Sequence, residues 1–163
     1  AASINHFFRV SNPGEASAVA SGAAGDWKTT GDDLWMLPKG SALAGAVDVC
    51  RFYGHPTIGP NSHFYTADAG ECAGLKTLQS QTPADKPRWN YEEIDFSAYL
   101  PESGVCPNVA PVPVYRLYNN GFARNDSNHR LTSKWSAVEN LKAAGWSLEA
   151  NGNPVMCATG RPY

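Results

Sequence analysis

At 163 residues the chain is long enough to bury one sizeable core and too short for two comfortable ones. Hydrophobic residues make up 42% and charged residues 17%, which excludes a disordered or coiled-coil chain. Thirteen basic residues stand against fifteen acidic ones for a net charge of −2, with no long run of either sign, so neither a nucleic-acid partner nor an anionic membrane surface is indicated.

No apolar stretch approaches the ~20 residues of a membrane span. The opening AAS is of the small-residue kind left at a processed end, so a mature or excised segment of a longer secreted protein is expected. SINHFFRV (3–10) then sets a histidine, His6, after Asn5 and ahead of strand-forming residues. NPGEASAVASGAAG (12–25) predicts a helix, with Asn12 as cap and Pro13 at the first helical position.

VDVCRFYG (47–54) alternates with the period of a strand, GHPTIGPNS has the Gly, Pro and Asn of a hairpin loop, and PNSHFYTA (60–67) supplies the returning strand. DAGECAGLKTLQS (68–80) predicts a helix capped by Asp68, with Glu71 at the capping-box spacing. The same order recurs. VPVYRLYN (112–119), the loop NNGFARNDSN and HRLT form a second hairpin, and TSKWSAVENLKAAG (132–145) a third helix with Trp135, Val138 and Leu141 at i, i+3 and i+6. Each helix leads to a tryptophan, Trp27, Trp89 and Trp146, at a repeat of roughly 60 residues.

These elements predict one α+β, β-rich domain over residues 1–163, built of three pseudo-symmetric hairpin–helix–strand units near 3–46, 47–108 and 109–163, with helices outside. The first unit lacks its leading strand; either processing removed it or the final GRPY partly fills its place. Four separated cysteines without CxxC or zinc-finger spacing fit two disulfides and an oxidising compartment, hence a secreted or periplasmic protein. Of three possible connectivities, Cys50–Cys72 would staple a strand to the helix after it, and Cys106–Cys157 would tie the start of the last unit to its end.

VCRFYGHPTIGPNSHFYTADAGEC and PVYRLYNNGFARNDSNHRLT resemble an uncharacterised repeat family marked by V-Y-R-F-Y-N, H-F-Y-T, a helix and W-x-x-E-G. Its members occur as C-terminal modules of secreted bacterial proteins and in fungi. The resemblance covers nearly the whole chain and implies an accessory module attached to something with another activity. The second and third units keep the glutamate after tryptophan (Glu92 and Glu149) without the glycine, the first keeps Gly31 without the glutamate, and HRLT replaces H-F-Y-T.

Three chemistries are compatible with these residues. A hydrolase would draw its carboxylates from Glu92, Glu93 and Asp95; alternation sets Glu93 and Asp95 on one strand face and Glu92 on the other, and no G-x-S-x-G is present, so an enzyme is not expected. Three converging histidines would suit zinc, but repeat-equivalent histidines beside loop Asn or Ser read first as holders of their own turns. NDSN (125–128) lacks the calcium-loop pattern, and no metal or cofactor is expected. Binding is the third. Arg51, Tyr53, Asn61, His63 and Tyr65, and likewise Arg116, Tyr118, Asn128 and His129, combine donor forks, flat faces and polar edges, a mix that suits a sugar ring. The leading expectation is a non-catalytic module for carbohydrate or cell-envelope polysaccharide, acting through units two and three and not through unit one. The alternative is a structural or protein-interaction module in which each arginine pairs with its own unit's Glu92 or Glu149 and the tyrosines are core.

Overall fold

A computed structural model describes residues 6–7 and 9–160, so Asn5 of the first histidine stretch and residues 161–163 of GRPY lie outside the described residues. One sheet carries the fold. In chain order its strands are β1 (Leu37–Pro38), β2 (Ala46–Gly54), β3 (His63–Thr66), β4 (Trp89–Tyr99), β5 (Val112–Tyr118), β6 (His129–Thr132), β7 (Ser147–Leu148) and β8 (Met156–Ala158). The hydrogen-bonded order is β3-β2-β4-β8-β5-β6, with β1 added to β4 and β7 to β5. Three helices accompany it: α1 (Pro13–Ala20), α2 (Ala69–Gln81) and α3 (Trp135–Ala143).

Both predicted hairpins form, and in matching register. Tyr53 pairs with His63 and Arg51 with Tyr65 in β2–β3, as Tyr118 pairs with His129 and Arg116 with Leu131 in β5–β6. The ends of the sheet meet. Ser62 Oγ donates to Asn128 Oδ1 at 2.9 Å, and the Phe64 and His129 rings stand edge to face at 4.8 Å. Residues 9–10 form no strand; the Tyr65 hydroxyl grips Arg9 instead, donating to its carbonyl at 2.8 Å and accepting from its N–H at 3.0 Å.

Both disulfides pair as expected. Cys50–Cys72 joins β2 to α2, and Cys106–Cys157 ties the loop before β5 to β8. The cross-linked pairs lie 22 and 51 residues apart, separations for which chain-entropy arguments give about 3 and 4 kcal/mol of stabilisation. The main core lies between the inner-facing residues Val49, Tyr65, Phe96, Val114, Leu131 and Met156. Each large apolar side chain buried there contributes roughly 1.5–3 kcal/mol.

The helices are tied down unequally. Cys72 and Leu75 of α2 pack with Phe52, Phe64 and Trp89, and Val138 and Leu141 of α3 pack with Leu117 and Trp146. Trp135, predicted on the same apolar stripe, stays largely outside and meets Tyr115 edge to face at 5.3 Å. Helix α1 ends at Ala20, well short of the expected residue 25, and buries no residue. Asn12 Oδ1 caps it by accepting from Gly14 and Glu15 N–H groups, yet without an apolar face nothing drives the helix further.

Candidate functional site

The hairpin residues are best built outward from the two arginines. Arg51 is buried on β2, where its Nε donates to Glu92 Oε2 at 2.7 Å and its Nη1 to Glu15 Oε2 at 2.9 Å. Arg116 is buried on β5, with Nε on Glu149 Oε2 at 2.7 Å and Nη1 and Nη2 on Glu71 at 2.9 and 3.0 Å. One carboxylate in each set, Glu92 or Glu149, follows the arginine's own hairpin in the chain. The other comes from the first turn of the preceding helix, α1 or α2.

A β-bulge device supplies part of this geometry. Along β2 the β4 partners run Phe96, Ile94, Glu93, Tyr91, so Asp95 and Glu92 are skipped by the ladder. Strict alternation would set Glu92 on the face opposite Glu93 and Asp95. The bulges re-aim both skipped carboxylates, bringing Glu92 onto Arg51 and Asp95 Oδ2 to 3.9 Å from Arg51 Nη1. Glu93 bonds Lys39 at 2.8 Å instead.

The histidines lie beside these pairs. His63 Nε2 stands 3.6 Å from Glu92, and His129 Nε2 stands 3.8 Å from Glu149. Each ring also faces a tyrosine, His63 on Tyr53 at 4.7 Å and His129 on Tyr118 at 4.8 Å. Burial, with the neighbouring Arg51, pulls His63 down to about 4; burial and Arg116 pull His129 down to about 3. Both are neutral at ordinary pH.

The remaining predicted residues also have partners within the protein. The Tyr53 hydroxyl donates to Asn61 Oδ1 at 2.7 Å, and the Tyr118 hydroxyl accepts from the Phe122 N–H at 2.9 Å. Tyr65 is 3% exposed and Asn128 is wholly buried. His6 does not repeat the pattern: its Nδ1 lies 2.6 Å from the Asn61 carbonyl and its Nε2 3.0 Å from Asp126, so it clamps the two hairpin loops. Among the described residues no group of three His, Cys, Asp or Glu side chains is placed to hold a metal ion.

The concave surface lies elsewhere. A groove of about 1080 Å³ runs between the 9–13 segment, α1, the 27–39 loop and the Glu93–Phe96 stretch of β4. Trp27 and Trp35 line it at 37% and 44% exposure, with Thr30, Asp33, Lys39 and Glu93 among its polar groups. No residue of the β2–β3 or β5–β6 hairpins lines it, though His6 does. Tyr65, Arg116 and His129 line a small cavity of about 40 Å³, room for water and not for a sugar.

Reasoning from sequence overlooked Glu15, Glu71 and this groove. A signal for the glutamates exists: each stands three residues after its helix cap, Asn12 or Asp68. Glu71 keeps only half of a capping box, because Asp68 accepts its N–H while its own carboxylate turns to Arg116. No such signal marks the groove, whose walls come from stretches far apart in the chain. Compared with protein-family models, curated proteins and solved structures, the chain matches none.

Proposed function

We propose that the protein is a non-catalytic extracellular or periplasmic binding module for carbohydrate, with its ligand in the groove beside the first unit. The observation that carries this reading is the pair of exposed tryptophans, Trp27 and Trp35, lining a groove of about 1080 Å³ together with hydroxyl, carboxylate and ammonium groups. Flat indole faces suit the apolar side of a sugar ring, and the mixed polar groups suit its hydroxyl rim. A groove of that volume accommodates several linked sugars. The two disulfides support an oxidising compartment.

On this reading the hairpin motif is scaffold. Nε and Nη1 of Arg51 and all three nitrogens of Arg116 are held by carboxylates, and the Tyr53 and Tyr118 hydroxyls by loop groups, so little of their chemistry remains for a ligand. Non-catalysis is supported by Glu92 being held on Arg51 and Glu93 on Lys39. The matching hairpin registers support descent of the units from one repeat. A structural or protein-interaction role is the second reading, favoured by the carboxylates that cross from one unit to the next.

The test is a panel of cell-wall and storage polysaccharides probed with the purified chain, alongside Trp27→Ala and Trp35→Ala. Each substitution is expected to weaken binding about tenfold. Tyr118→Phe should leave it unchanged. Absence of binding across the panel, or binding indifferent to both tryptophans, sinks the glycan reading and leaves the structural one.

A further inference from the structure

The loop between β5 and β6 contains Asn125-Asp126-Ser127, the one Asn-x-Ser/Thr triplet without proline at x in the whole chain. Asn125 is exposed, with φ 55, at the end of a one-turn 3-10 helix over Phe122–Arg124. Phe122 opens this turn and Asn125 closes it, the Asn125 N–H donating to the Phe122 carbonyl at 3.0 Å, so ring and amide stand three residues apart in one short loop. Phe122 is 84% exposed, a large apolar ring left in water, whereas Phe52, Phe64 and Phe96 are buried.

We propose that Asn125 is an N-glycosylation acceptor and that the Phe122 ring is the platform for its first sugar. The transfer takes an oligosaccharide from a lipid-diphosphate donor. The bond from sugar C1 to the diphosphate oxygen breaks, the C1–Nδ2 bond forms, Nδ2 gives one proton to the transferase base, and the lipid diphosphate leaves. The product amide keeps one N–H. In the folded protein Asn125 Nδ2 donates to the Ile58 carbonyl at 3.0 Å and reaches that of Gly59 at 3.3 Å, so the remaining N–H serves the shorter bond. Stacking of the first sugar on Phe122 covers the exposed ring and gives its position a physical reason. The inference does not depend on what the groove binds.

The experiment is secretion of the chain from a eukaryotic host, followed by intact mass and N-glycosidase treatment. The expected product exceeds the 17.5 kDa of the chain by one oligosaccharide, and enzymatic release turns Asn125 into Asp. Asn125→Gln and Ser127→Ala should both abolish the added mass; the second keeps Asn125 and its loop contacts. Removing the glycan should lower Tm by about 2–4 °C in the parent and by clearly less in Phe122→Ala. A secreted chain with unmodified Asn125 overturns the acceptor, and equal Tm losses with and without Phe122 overturn the platform.

Discussion

The surroundings of Arg116 and Arg51 use the same chemistry to different depths. Arg116 holds Glu71 through two nitrogens, donates to the Tyr65 carbonyl at 3.0 Å, and lies 4.4 Å over the Phe64 ring. Arg51 holds Glu15 through one nitrogen, and Glu15 rides on a helix with no buried face. Among the described residues, the contact of β6 and α3 with residues 9 and 32 has no equivalent of the Arg51–Glu15 or Arg116–Glu71 pair. Ala137 occupies the place in α3 that corresponds to Glu71, and the buried Asp32 takes over, accepting from the Thr132 hydroxyl and lying 3.3 Å from Arg9. Residues 9–10 form no strand there, and neither member of the pair has an equivalent among the described residues. A charge buried without its partner is costly, so losing one member removes the reason for the other.

The largest effect should come from Arg116→Ala, which strands Glu71, Glu149 and a buried carbonyl. A loss of about 3–5 kcal/mol in chemical denaturation is expected, and about 1 kcal/mol less for Arg51→Ala. Equal losses would break the distinction between the two. Asp32→Asn should cost about 3 kcal/mol, since it leaves Arg9 and Arg130 near a neutral side chain. A loss below about 1 kcal/mol would show that the third contact does not depend on charge.

The histidines sharpen the comparison through pH. Both have folded values below the unfolded 6.5, so the unfolded chain takes up protons first and stability falls as pH falls. Between pH 7 and 5 each should account for about 2 kcal/mol of that fall. His63→Asn and His129→Asn should each remove their share from a denaturation series. Asp95 and Glu149, both raised by burial, bind protons more readily folded than unfolded and oppose the trend in acid. The smallest effect is that of the helix carboxylates. Glu71→Gln should cost about 1 kcal/mol and Glu15→Gln about half as much, measured in the same way.

Much of the hairpin architecture was legible because its signals are local. VDVCRFYG and VPVYRLYN alternate, their loops carry Gly, Pro and Asn, and Asp68 announces α2 from a single position. Trp27 misled for the same reason. Its neighbourhood looks like that of Trp89, but Trp89 opens an eleven-residue strand and Trp27 lies in a loop. The difference rests on whether β2 is there to pair with, which no local pattern contains. Equally illegible were the two bulges in β4, because a skipped residue shows only against its partner strand.

The sequence by itself determined where the hairpins and the cores of α2 and α3 lie, and its spacing favoured the two disulfides that form. Those features follow from side-chain period, turn chemistry and the reach of a cysteine pair. Only the tertiary structure decided that Arg51 and Arg116 answer to glutamates of the preceding helices, and that the open groove lies beside α1 and the 27–39 segment. Ion pairing and concavity depend on distances between segments tens of residues apart, and those distances exist only once the sheet has formed.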